Sequence, residues 1–268
     1  MKQVVLCADD FAVHEAASRG IAELARLGRL SATSVMVLSP RWPQDVALLR
    51  PLRGQIDVGL HLDWTSEFAR RAGHGLGLGA AMLRAVWGGF DQGVARGVIE
   101  RQFDAFEAQW GAPPDHVDGH QHVQQFAGIR DALVAVVHQR FGQHAPYLRV
   151  SQMVPGQTDL KSRVIAAMGA PALRALAQAA HLGCAPWLSG VYNFDTDYAG
   201  HMDRWLAQVP GGSLLMCHPA DRATTGDGIG LARAREYAHL RGEIFARQLS
   251  QHGVELVRGA ALYMKDRA

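Results

Sequence analysis

"VVLCADDFAVHEA", residues 4–16, is a short apolar, β-branched run that stops at two adjacent carboxylates, Asp9 and Asp10. The run reads as a buried strand over 3–8. The stretch after it, "HEAASRGIAELARLG", carries Ala17, Ile21 and Leu24 at helical spacing, with Gly28 placed as a C-cap. This strand-then-helix unit recurs to the end of the chain. Further strands are predicted over 31–38, 55–62, 116–118, 146–151, 213–219 and 254–257. Helices are predicted between them: one opened by Pro43, one ending at Gly111, an Ala-rich stretch over 159–183 interrupted at Gly169 and Pro171, and one over 231–252. Regular alternation without repeat or linker implies one α/β domain over 1–268 with a parallel sheet. Seven or eight such units in ~250 residues are the dimensions of a TIM-like (β/α) barrel. An open doubly wound sheet is the alternative.

Composition narrows the function classes. Hydrophobic residues make up 48% and charged residues 19% of the 268, which is globular rather than disordered. The formal charge of +2, from 27 basic and 25 acidic residues without a basic run, argues against nucleic acid and for a neutral or mildly charged small ligand. "MKQVVLCADD" lacks the apolar core of a signal peptide, and no stretch reaches the ~20 apolar residues of a membrane span. Cys7, Cys184 and Cys217 are too few and too scattered for a disulfide framework and read as small buried residues. A cytoplasmic protein is the expectation.

Parallel sheets place their sites at the C-terminal strand ends. The predicted ends here carry Asp9 and Asp10; His61; Asp118, His120 and His122; Arg149; and His218. Each has a plain structural alternative. Asp9 and Asp10 could cap a helix, His61 could be a satisfied core histidine, Arg149 an ion-pair partner, and His218 a turn residue before Pro219. His116 and His144 read as solvated. A barrel would bring the set to one rim. His120 and His122 are two apart, which on a strand means one face. A carboxylate with two imidazoles suits one divalent ion with open positions, Zn²⁺ or Mg²⁺ foremost, with Mn²⁺ and Co²⁺ as relatives. A second carboxylate then has work as a general base, and a histidine across the rim as an acid.

"ADDFAVHEAASRGIAELARLGRLSATSVMV", "VGLHLDWT", "PDHVDGHQHV" and "LLMCHPA", in that order from residue 8 to residue 220, resemble the YdjC-like carbohydrate deacetylases. That family includes the chitooligosaccharide deacetylases and a hopanoid-associated group. The resemblance implies a distorted (β/α) barrel and metal-dependent removal of an N-acetyl group from an amino sugar or N-acetylated oligosaccharide. It implies Asp10, His61 and His120 as metal ligands, Asp9 as the base and His218 as the acid. More loosely, it implies Arg149 as an arginine beside the base.

Two positions depart from the family pattern. Ala12 stands where the family has glycine, and Gln124 where it often has histidine. Residues 66–112 match no family block and are where substrate choice is expected to lie. Trp64 is a candidate for stacking on a sugar, or equally a core tryptophan. His122 is expected beside the ligands, orienting a neighbour or touching substrate. "ATTGDGIG", 223–230, is Gly-rich enough for a lid. The rival readings are a metal-dependent phosphoesterase acting on a sugar phosphate, for which His74 and His122 are spare ligands, and a non-catalytic sugar-binding protein on the same fold. A small carbohydrate is the expected partner, with a homodimer as a further expectation.

Overall fold

A computed structural model of the chain describes residues 1–157, 159–194 and 197–264. Nine strands are present among the described residues: β1 (Lys2–Phe11), β2 (Ala32–Val35), β3 (Asp57–Leu62), β4 (His116–Gly119), β5 (Tyr147–Arg149), β6 (Cys184–Ala185), β7 (Leu188–Ser189), β8 (Leu214–Cys217) and β9 (Val254–Leu256). The longer helices that matter for the site are α1 (Glu15–Arg26), α2 (Leu78–Val86), α3 (Leu160–Ala167), α4 (Ala170–Ala179) and α5 (Gly230–Arg241). Every strand pair is parallel, in the order β6-β5-β4-β3-β2-β1-β8-β7, with β9 beside the first residues of β1.

The sheet is a nearly closed barrel, and two facts show it. Laid flat at ~4.8 Å per strand, eight strands would part the end strands by roughly 34 Å. Yet β6 and β7 are joined by Pro186 and Trp187 alone, and a chain extends at most ~3.6 Å per residue. In addition, Arg149 on β5 reaches Asp9 on β1, four places away in the order, at 2.7 Å. The expected barrel is therefore observed. β6 and β7 escaped the sequence because two residues carry no periodicity. The predicted break at Gly169 separates α3 from α4, where Gly169 has φ 129°.

Local chemistry explains how β1 ends. Its register with β2 shifts between Ala8 and Phe11, and Asp10 inside that shift has φ 66°. In a regular strand Asp9 and Asp10 would face opposite sides. The bulge, at a residue type that tolerates the left-handed region, turns both toward the barrel mouth. Neither caps α1; His14 does, its Nδ1 accepting from Ala17 N at 3.1 Å.

Ala12 also has positive φ, at 71°. Ser18 Oγ accepts from its N–H at 3.1 Å, and its carbonyl accepts from Ser39 Oγ at 2.6 Å. The glycine expected here is thus replaced at a cost of ~1 kcal/mol of backbone strain. The buried methyl returns ~0.8 kcal/mol. Ala12→Gly is accordingly expected to move Tm by no more than ~2 °C in a thermal melt. A fall beyond ~5 °C would show that packing of the methyl outweighs the strain.

Candidate active site

The strand ends converge on a cavity of about 880 Å³ lined by Asp9, Asp10, His61, His120, His122, Arg149 and His218 among others, a size suited to a small ligand of a few rings. Of the sequence-predicted residues, Asp118 lies fully buried beneath the cavity, and Trp64 and His74 lie elsewhere. Trp64 is buried, edge-on to His74 at 5.7 Å and Phe90 at 6.4 Å, and forms part of the core. The stacking role expected of it is corrected. His74 turns to the Asp63 carbonyl at 3.1 Å and is no spare ligand.

Asp10, His61 and His120 place their donor atoms within 4.8 Å of one another. Asp10 Oδ1 lies 3.4 Å from His61 Nε2 and 3.2 Å from His120 Nδ1. β3 and β4 set His61 opposite Asp118 in register, and His61 Nδ1 donates to Asp118 Oδ1 at 2.6 Å. That bond fixes the tautomer and directs the Nε2 lone pair at the Asp10 carboxylate, so a cation or a proton must separate them. Without a metal the proton wins. Desolvation works against the charged imidazole, but Asp118 and Asp10 outweigh it and raise His61 to about 10. A carboxylate and two imidazoles facing a shared point fit a divalent ion.

Two other donor groups fit less well. Asp9, His61 and Asp118 also lie together, but Arg149 Nη1 already fills that space, 2.7 Å from Asp9 Oδ1 and 3.0 Å from Asp118 Oδ2. Cys7, His116 and Asp118 form a closed layer beneath, where burial above all pushes the Cys7 thiol well up. His116 is therefore not solvated, as expected from sequence, but fully buried. Its Nε2 lies 3.1 Å from Ser34 Oγ and its ring stacks on Tyr147 at 5.1 Å. Gly59 makes room, since a Cβ there would collide with the ring. Ser34 Oγ in turn donates to Asp118 Oδ2 at 2.5 Å. Burial would raise Asp118, but Arg149 and His61 hold it well below the usual carboxylate range.

β4 ends at Gly119, so the strand rule does not govern His120 and His122. Gln121 and His122 have φ 54° and 63°, and the chain turns between the two histidines. His120 goes to Asp10, whereas His122 Nδ1 pairs with Ser151 Oγ at 3.0 Å. Gln124 is buried and donates to the Arg149 carbonyl at 3.1 Å and Ser151 Oγ at 3.2 Å, bracing the arginine rather than meeting the cavity.

Across the mouth, His218 Nε2 stands 4.0 Å from Asp9 Oδ2. Burial lowers this imidazole to about 4 despite Asp10 and Asp9, so it is uncharged at neutral pH. Its backbone N–H donates to Glu236 Oε2 at 2.5 Å, and Tyr192 Oη donates to Oε1 at 2.6 Å. Phe194 lies edge-on to His218 at 5.6 Å.

Sequence reasoning missed Arg233 and Glu236. Both sit on α5, where i, i+3 spacing is the only signal, and ordinary solvated helices show it too. The unmatched middle of the chain does reach the cavity, through Ser66, Glu67, Phe68, Arg70, Leu78 and Met82. The Gly-rich 223–230 segment supplies Thr224 to Ile229. No helix among the described residues is long and apolar enough to cross a membrane.

A family model described as YdjC-like protein matches residues 3–251. A chitooligosaccharide deacetylase of Enterobacter sp. (strain 638) is 28% identical over 59% of this chain and 63% of its own length. A carbohydrate deacetylase of Homo sapiens is 28% identical over 60% of this chain and 52% of its own. The chain thus spans less than two thirds of the length of these curated relatives. A solved structure from Enterococcus faecalis V583, provisionally described as a cellobiose-phosphate cleavage protein, superposes with TM-score 0.75 at 18% identity, covering 98% of this chain and 99% of that one. This last likeness is one of fold.

Proposed function

The chain belongs to the YdjC-like protein family, and on that footing we propose that it is a metal-dependent hydrolase removing the N-acetyl group from an amino sugar or N-acetylated oligosaccharide. The reading assigns 1–268 to one catalytic domain. The observation that carries it is the Asp10–His61–His120 donor set with a separate carboxylate, Asp9, beside it. A binding protein needs no such pair. A two-ion phosphoesterase needs a second donor set, and here the neighbouring set shares His61 and is filled by Arg149. The names of the deacetylase relatives support the same reaction.

Asp10, His61 and His120 would hold the divalent ion, which when bound supplies Lewis acidity to water and to the acetamide carbonyl. Asp9 is the base. Arg149 Nη1 holds its Oδ1, leaving Oδ2 to take a proton from the attacking water. His218 Nε2, 4.0 Å from that oxygen and uncharged, carries the proton on to the leaving nitrogen. Acetate and a free amine result. Arg149 stabilises the negative charge of Asp9 and Asp118 together. Arg70, exposed at the rim, offers a polar contact to sugar hydroxyls.

Acetate release tests this. A chitobiose-type oligomer, N-acetylglucosamine, and lipid- or nucleotide-linked N-acetyl sugars are to be offered with divalent metal and again with chelator. Acetate from at least one of them, abolished by chelator and restored by metal, is the expected result. Phosphate release from a sugar phosphate without any acetate would overturn the deacetylase reading.

A further inference from the structure

α5 presents Arg233 and Glu236 three residues apart, hence on one face. Glu236 holds the backbone of His218, and Arg233 reaches the other side of the site. Arg233 is 4% exposed. Its Nη2 donates to Asp10 Oδ2 at 2.6 Å, its Nε to Asp227 Oδ2 at 2.8 Å and its Nη1 to the His218 carbonyl at 3.4 Å. Asp227 is itself fixed, accepting from Ile229 N at 3.1 Å and lying 3.1 Å from His14 Nε2. The two oxygens of Asp10 therefore have different neighbours: Oδ1 faces the imidazoles of His61 and His120, and Oδ2 is taken by the guanidinium.

We propose that Arg233 is a positioning residue that confines Asp10 to one ligand oxygen, so that coordination positions stay open for water and the acyl oxygen. The inference rests on the metal reading above. A carboxylate can offer a cation one oxygen or two. With Oδ2 held by Arg233 the second is withheld, and a position it would have filled is left for chemistry. The arrangement lowers affinity, because a guanidinium close to a divalent ion repels it. Lysine could not replace it, since the planar fork reaches two carboxylates and a carbonyl at once whereas an ammonium is a single point. Arg233 also ties the 223–230 segment to the ligand through Asp227, so that segment and Asp10 share one anchor.

The test titrates Co²⁺ into metal-free wild-type, Arg233→Met and Arg233→Lys proteins, reading affinity by competition and coordination number by visible absorption, with acetate release alongside. Arg233→Met is expected to bind Co²⁺ about ten-fold tighter or more once the repelling charge is gone. Its spectrum should change as Asp10 adds a second oxygen, and turnover should fall about 100-fold. Arg233→Lys keeps the charge, so its affinity should stay within about three-fold of wild type while turnover still drops. Weaker Co²⁺ binding in Arg233→Met, in step with lost activity, would overturn the proposal, because a merely structural arginine behaves that way. If Arg233→Met does not fold, an Arg233→Lys protein with wild-type turnover and spectrum would overturn it equally. Wild-type protein that takes up no Co²⁺ would instead sink the metal reading, and this inference with it.

Discussion

His120→Ala protein is expected to emerge from desalting without its metal, with affinity down at least about 100-fold, and to release almost no acetate. Loss of a group that only orients a ligand already costs 10–100-fold, and the proposed ligand set makes His120 a direct donor, its Nδ1 3.2 Å from Asp10 Oδ1. The substitution is also gentle to the fold, since the His120 side chain is 21% exposed. The control is His122→Ala. That imidazole pairs with Ser151 and not with the ligand set. Burial, then Arg149, keeps it well below its ordinary pKa, so it is a neutral group beside the substrate path. His122→Ala should keep full metal content and show altered KM. Metal analysis of the two proteins separates the histidines. If His122→Ala loses the ion and His120→Ala retains it, the ligand assignment is reversed.

Asp9→Asn should give the opposite split, a full complement of metal with turnover lower by about 10²–10⁴. Asparagine is isosteric, and its Oδ1 can still accept from Arg149 Nη1, which now holds the Asp9 oxygen at 2.7 Å. Packing and the ligand triad are therefore left in place. The missing function is proton acceptance at Oδ2, the oxygen that faces His218. Burst and steady-state acetate release, with metal content measured on the same sample, give the result. Turnover within ten-fold of wild type would remove Asp9 from the role of base and leave His218 to be tested next. A parallel loss of metal would mean that Asp9 belongs to the ligand set after all.

The barrel was legible because its strands are marked by apolar runs that stop at reactive residues, and its helices by 3.6-residue spacing. The convergence of the strand-end residues on one cavity was legible from their positions, and the ligand and base roles proposed for them come from the family resemblance. What could not be read has physical causes. The adjacent Asp9 and Asp10 share a face through a left-handed residue in a register shift, and no side-chain pattern announces a bulge. Trp64 follows His61 by three residues but packs inward with Phe90, so proximity in sequence misled. His116 sits on the same strand as Asp118 and is buried because glycine at 59 leaves a space its ring can fill, a fit between distant positions. Arg233 reaches Asp10 across 223 positions of chain, and long-range ion pairs leave no local mark.

The seam of the barrel has a consequence for behaviour outside the site. A sheet that stops short of closure keeps two raw edges, and such edges invite strand addition from other molecules. Here both edges are only two residues long, Cys184–Ala185 and Leu188–Ser189, and the chain passes directly from one to the other through a proline. The Leu188 edge is moreover already paired, its N–H donating to the Gln152 carbonyl at 2.6 Å and its carbonyl accepting from Val154 N at 3.2 Å, which leaves little for a foreign strand to join. The molecule can therefore leave a gap in its wall without becoming adhesive. The Leu188 amide, tied to Gln152, should therefore be protected from deuterium exchange although it lies at the seam, while β1, paired along its length with β2, β8 and β9, should exchange last.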